Sequence, residues 1–253
     1  MQSTPSALLP QRRLARQARQ RFVEGLCAGL PELDKAVMDF LTTLMSQTGT
    51  ARDMQAHRDA WMLYQQRHAI WTDRTGKAWR DALAPHASGS GGGSGGATLA
   101  AGGTGLQFEL LSDDVVENKI LASRMALTLS EQVGPQFDTL RQRTQSLEGQ
   151  ELGGNDILRP DAVCLRLVDQ WVEAGLPRAD LQTVVEPLQR ELAKLLQKQY
   201  QAVNVFYVEQ GITPQADLRS RVRRTAGGGV AGGGESSSGG LASQALAQSR
   251  DAL

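Results

Sequence analysis

The chain has 253 residues, equal numbers of basic and acidic side chains (27 each), 5% aromatic residues and a mean hydropathy of -0.33. No apolar run approaches the roughly 18 residues that cross a bilayer, and a neutral chain lacks the domain-wide basic field of a typical nucleic-acid binder. Both a transmembrane helix and a strongly basic nucleic-acid carrier are therefore excluded.

The charge is uneven: residues 1–84 carry 12 Lys/Arg against 8 Asp/Glu, whereas residues 106–159 carry 5 against 9. Opposite polarity favours docking of the two regions on each other. Seventeen of the 27 glycines fall in two segments, PHASGSGGGSGGATLAAGGTG at 85–105 and AGGGVAGGGESSSGGLASQALAQSRDAL at 226–253. Such compositions bury too little apolar area to offset the entropy of ordering. The expected organisation is a helical block over 1–84, a disordered linker over 85–105, a second helical block over 106–225 and a disordered tail over 226–253. The fold class is all-α.

The N-terminus is Arg-rich and free of acids before Glu24, as in organellar leaders. Its apolar positions Leu14, Ala18, Phe22, Leu26, Leu30, Leu33, Val37, Phe40 and Leu44 nevertheless form one continuous helical stripe, which a cleaved leader would not share with the mature fold. A first helix is predicted over 11–47 with a bend or joint at Gly29-Leu30-Pro31. Thr48-Gly49-Thr50 supplies a turn and an N-cap for a second helix over 51–83. That helix carries Trp61, Tyr64, His68, Trp71 and Trp79 on one side, and the aromatic row is expected to pack against Leu26, Leu33, Val37 and Leu44.

Beyond the linker, Leu106-Gln-Phe-Glu-Leu-Leu111 alternates and is expected to form an extended docking arm, because a lone strand has no sheet to join. Ser112, Asp113 and Asp114, with Glu117, mark a helix start, and Val116, Ile120 and Leu127 supply its apolar positions. Gly134-Pro135 is expected to break that helix, with Phe137, Leu140, Thr144 and Leu147 on the next. Pro160 opens a helix whose buried side is Cys164, Leu167, Val168 and Trp171, and Gly175 and Pro177 end it. The last helix, over 179–210, carries Leu181, Val184, Leu188, Leu192, Leu195, Tyr200, Val203, Phe206 and Tyr207. Pro187 predicts a kink or fresh start near Glu186, and Gly211 closes the helix.

The candidates for chemistry are few. His57 and His68 are eleven residues apart, about 16 Å along one helix, too far to share an ion, and His86 adjoins the linker. Cys164 lies in an apolar stripe and reads as a small buried hydrophobe, as does Cys27. Two cysteines make no disulfide framework and fit a reducing, cytoplasmic compartment. Asp113, Asp114 and Glu117 are explained as helix-start carboxylates, and neither glycine tract has the Lys-Ser/Thr of a phosphate loop. Two arginine clusters remain: Arg12, Arg13, Arg16, Arg19 and Arg21, and then Arg219, Arg221, Arg223 and Arg224. These point to a weak, salt-sensitive polyanion or nucleic-acid site. No catalytic, cofactor-binding or metal-binding residue is assigned. The function expected is a non-catalytic interaction or scaffolding module for an unidentified protein or a second copy, with polyanion binding as the alternative.

LLSDDVVE at 110–117, PDAVC at 160–164, and QYQAVN at 199–204 leading to EQGITP at 209–214 resemble the N-terminal region of the proteobacterial domain-of-unknown-function family 1631. The resemblance runs from Phe22 to Pro214. It rests on helix ends and packing positions, so it implies kinship and a helical fold but no activity. It also implies relatives several times longer, which continue into further helices and a small β-rich region.

Overall fold

The computed structural model describes residues 5–84 and 113–212, with side chains from residue 10 onward. The described residues contain five α-helices: α1 Pro5–Ser46, α2 Ala51–Asp81, α3 Asp113–Glu148, α4 Pro160–Glu173 and α5 Arg178–Glu209. No strand occurs among them. The linker, the 106–111 arm, the tail, His86 and the second arginine cluster lie outside the described residues.

The helix ends follow local chemistry. Thr50 and Asp53 form a reciprocal capping box at the start of α2, with the Asp53 N–H donating to Thr50 Oγ1 at 3.2 Å and the Thr50 N–H donating to Asp53 Oδ2 at 3.3 Å. Pro160 occupies the first turn of α4, where a missing N–H leaves no intrahelical bond unmade. Gly175 and Gly211 adopt φ of 82° and 74°, and each lets the next residue's N–H reach back, Leu176 to Trp171 and Ile212 to Tyr207. Left-handed backbone of this kind closes α4 and α5.

Pro31, Pro135 and Pro187 all lie inside continuous helices, so the break expected at Gly134-Pro135 does not occur, and of the alternatives at 29–31 and near Glu186 the joint and the fresh start are excluded. An interior proline costs about 3 kcal/mol. Each of these helices is buried on both sides of its proline, at Leu30 and Leu33, at Val133 and Leu140, and at Val184 and Leu188. At about 1.5–3 kcal/mol for each buried aliphatic side chain, packing outweighs the lost bond.

The helices form a closed ring in the order α1, α2, α4, α3, α5 and back to α1, around one hydrophobic core. The sequence divides at the linker, yet α1 packs on α5 and α2 on α4, so helices from the two sides share that core. Directions follow from the contacts. Tyr64 meets Asp34 and Trp61 meets Thr42, which makes α1 and α2 antiparallel. Trp71 and Trp79 donate their indole N–H to Leu167 and Val163 carbonyls, which makes α2 and α4 antiparallel. Asn118 lies near Arg178 and Arg143 near Asn204, so α3 and α5 run parallel.

The aromatic row of α2 divides. Tyr64, Trp71 and Trp79 are buried, while Trp61 is only partly so. The expected partner was α1, but the indoles also pack on α4. Trp171 stacks on Tyr64 with ring centroids 5.6 Å apart and meets Trp71 edge-on at 5.2 Å. A sequence stripe gives the buried face of a helix but not which neighbour will cover it.

Two glycines on α1 have a packing role that spacing did not reveal. A Cβ on Gly25 would stand 1.8 Å from Gln199 Oε1, and one on Gly29 would stand 2.3 Å from Leu195 Cδ1. Four residues apart, the two glycines share a face and let α5 approach α1 closely.

Candidate interaction surface

The polar residues inside the ring are joined in pairs and triads that tie helices together. Asp34 accepts from the Tyr64 hydroxyl at 2.7 Å and lies 3.0 Å from His68 Nδ1. Burial, and then the Asp34 charge, push the Tyr64 phenol well above its ordinary value, which keeps it a neutral donor. His57 is half-buried elsewhere on the same helix.

Arg19 is the second centre. It donates to Glu148 at 2.6 Å and 2.9 Å and to Asp156 at 2.6 Å, binding α1 to the end of α3 and to the loop beyond. Burial opposes its charge, but the hydrogen bonds to Glu148 and Asp156 prevail and raise its proton affinity above the ordinary arginine value. Arg19 therefore does not belong to a free cationic cluster. Arg21 lies 4.2 Å above the Phe206 ring, a cation–π contact that leaves it exposed. Arg12, Arg13 and Arg16 are exposed, and Arg16 and Arg80 line a groove of about 390 Å³ together with Gln20 and Glu24.

The helix-start carboxylates also have a partner that spacing did not reveal. Asp114 and Glu117 pair with Arg178 at 3.0 Å and 3.2 Å, so they join the start of α3 to the start of α5. Arg143 is buried without an ion pair among the described residues and donates to the Asn204 carbonyl and side-chain oxygens at 3.0 Å and 2.7 Å. Cys164 is fully buried, and burial followed by the Asp161 charge raises its thiol well above the ordinary range. Such a thiol is a poor nucleophile.

On α3, the apolar positions Val116, Ile120 and Leu127 are 39%, 48% and 67% exposed. The buried face is instead Asn118, Ala122, Met125, Ala126, Leu129 and Val133. At about 100° per residue the three exposed side chains fall within an arc of about 40°, centred roughly 140° from the buried face. The first half of α3 is thus apolar on two sides, and spacing alone does not say which side turns inward. A second exposed apolar group, Met45, Met54 and Met62, lies where α1 ends and α2 begins.

Residues 10–211 match the family model described as "Protein of unknown function (DUF1631) N-terminal domain". The chain belongs to this family. No curated protein and no solved structure matches it. No helix among the described residues is long and apolar enough to cross a membrane.

Proposed function

We propose that this DUF1631 N-terminal domain is a non-catalytic helical interaction or scaffolding module, acting in the cytoplasm, where two unpaired cysteines are at home. The observation that carries this reading is the outward stripe of Val116, Ile120 and Leu127 on α3. Aligned apolar side chains facing solvent mark an interaction site more often than scattered ones do. The engagement of Asp34, Tyr64, His68, Arg19 and Asp156 with one another supports the non-catalytic part of the reading, since each serves to join helices. Replacing Ile120 and Leu127 with Asp tests it. The unfolding midpoint should move by less than about 0.5 kcal/mol per site, while proteins captured by the intact chain are lost. Capture of the same set by the variant would overturn the assignment to α3.

A second reading, weak polyanion binding, draws on exposed Arg12, Arg13 and Arg16 with Arg80 beside Arg16. Its sign is binding to duplex DNA that has no sequence preference and falls steeply with salt.

A further inference from the structure

The outward stripe of α3 has a regularity besides being apolar. Val116, Ile120, Ser123 and Leu127 are all exposed and advance by four, three and four residues, and Asp113 and Ser130 extend the row by three at either end. Alternating steps of three and four hold one narrow seam in line over several turns, which is how two helices lying side by side meet. Small Ser123 stands between Ile120 and Leu127 in this seam. One edge of it carries Glu117 and Arg124, of opposite charge, and the other carries Lys119. Glu117 reaches Arg178 at 3.2 Å, whereas Arg124 is exposed and meets no carboxylate among the described residues.

These features select a partner. Consider α3 laid antiparallel on a second α3, with the two-fold axis between Leu121 and Ala122. Val116 then lies against Leu127 of the other copy, Ile120 against Ser123, and Asp113 against Ser130. Apolar ends meet each other, the bulky isoleucine meets a small residue, and the carboxylate meets a hydroxyl. Along the edge, Glu117 of each copy stands beside Arg124 of the other, which gives two ion pairs.

Other pairings fail on charge or contact. A parallel one sets Arg124 beside Lys119 of the other copy. An antiparallel one shifted by seven residues toward the helix end sets Glu117 beside Glu131 and Arg124 beside its own equivalent, and a further shift sets Val116 beside Arg141. Shifting the opposite way leaves Leu127 beyond the start of the other α3. The seam from Asp113 to Ser130 is about 26 Å long and about 10 Å wide, so pairing buries on the order of 1,000 Å² over both chains, near the lower limit of a specific interface.

We infer that α3 pairs antiparallel with α3 of a second copy of this chain, weakly and reversibly. The inference rests on the interaction-module reading and names the occupant of the same stripe.

Sedimentation equilibrium of the full chain in dilute buffer tests it, and a monomer–dimer equilibrium with a dissociation constant on the order of 10 µM to 1 mM is expected. Leu127→Asp, at a side chain 67% exposed, should raise that constant about tenfold or more with the unfolding midpoint unchanged. Arg124→Glu and Glu117→Arg should each raise it about fivefold or more, and an equimolar mixture of these two variants should associate about as tightly as the unaltered chain, because the mixed pair regains both ion pairs. Tighter self-association of Arg124→Glu would establish the parallel pairing, and of Glu117→Arg the shifted antiparallel one. Either result overturns the proposal, as does a mixture no tighter than its components. A full chain that stays monomeric at millimolar concentration overturns it too, and if capture of other proteins still depends on Ile120 and Leu127, the interaction reading survives that loss. Association that arises only after Leu106, Phe108, Leu110 and Leu111 are changed to Ser would give the stripe to the chain's own segment and equally overturn the pairing.

Discussion

From Tyr64 to Asp81, α2 lies under α4 and buries Tyr64, Trp71, Thr75, Gly76 and Trp79, whereas from Ala51 to Leu63 no side chain is buried. The two stretches carry the same kind of amphipathic pattern. What separates them is the length of the neighbour: α4 has 14 residues and α2 has 31, so at about 1.5 Å per residue α4 covers about 21 Å of a helix about 46 Å long. Trp61 shows the result. One side of it rests on α1, its N–H donates to Thr42 Oγ1 at 3.2 Å, and the rest meets solvent. Burial of an aromatic residue on a long helix is thus decided by where its neighbours stop as much as by the helix's own spacing.

Trp71→Ala is the change that should separate the two stretches most sharply. It removes a fully buried indole from contact with Tyr64, Trp171 and α4, and denaturant unfolding should show a loss of about 3 to 5 kcal/mol. A loss below about 1 kcal/mol would mean that α4 does not cover this half of α2 in solution. At the border between the stretches, Asp34→Ala leaves the Tyr64 hydroxyl and His68 without their partner. Loss of that hydrogen-bonded carboxylate should cost about 1 to 3 kcal/mol, and a double-mutant cycle with Tyr64→Phe should recover about half or more of it. Thr50→Ala removes the capping box from the exposed stretch, and a loss of about 1 kcal/mol is expected. Hydrogen exchange should place that loss in the first turns of α2 and leave the amides around Trp71 protected. Smallest of all, Met54→Gln and Met62→Gln should shift stability by less than about 0.5 kcal/mol each. A larger shift at either methionine would show that the exposed stretch has a neighbour that the comparison leaves out.

The helices and most of their ends were legible from sequence because they depend on neighbours one to five residues away. Thr50, Pro160, Gly175 and Gly211 act through local backbone geometry, and each stands where its chemistry placed it. The break expected at Gly134-Pro135 failed for the opposite reason: a local penalty at Pro135 is overridden by burial of Val133 and Leu140 against helices far away in sequence. Distance also hid the partners of Arg19, which lie 129 and 137 residues away. Glu148 and Asp156 stand out only once the ring closes. The spacing of Gly25 and Gly29 did contain a usable signal, since two glycines one turn apart on an otherwise well-formed helix suggest a close helix crossing as readily as a bend. The stripe of Val116, Ile120 and Leu127 was visible as apolar but not as outward, because α3 has a second apolar face, Ala122, Met125, Ala126 and Leu129 among its residues, and spacing alone does not choose between the two.

Closure of the ring by α1 and α5 has a consequence for biosynthesis. The stacked rings of Phe22 and Tyr200, 5.2 Å apart, join the first helix to the last. During translation α1 leaves the ribosome well before α5 exists, and at about 5 to 20 residues per second the interval is on the order of 10 to 30 s. For that time the α1–α2 hairpin exposes Phe22, Leu26 and the glycine face to solvent. A nascent-chain holdase that engages such a surface would protect this protein, and slowing elongation between codons 50 and 180 would lengthen its exposure to aggregation.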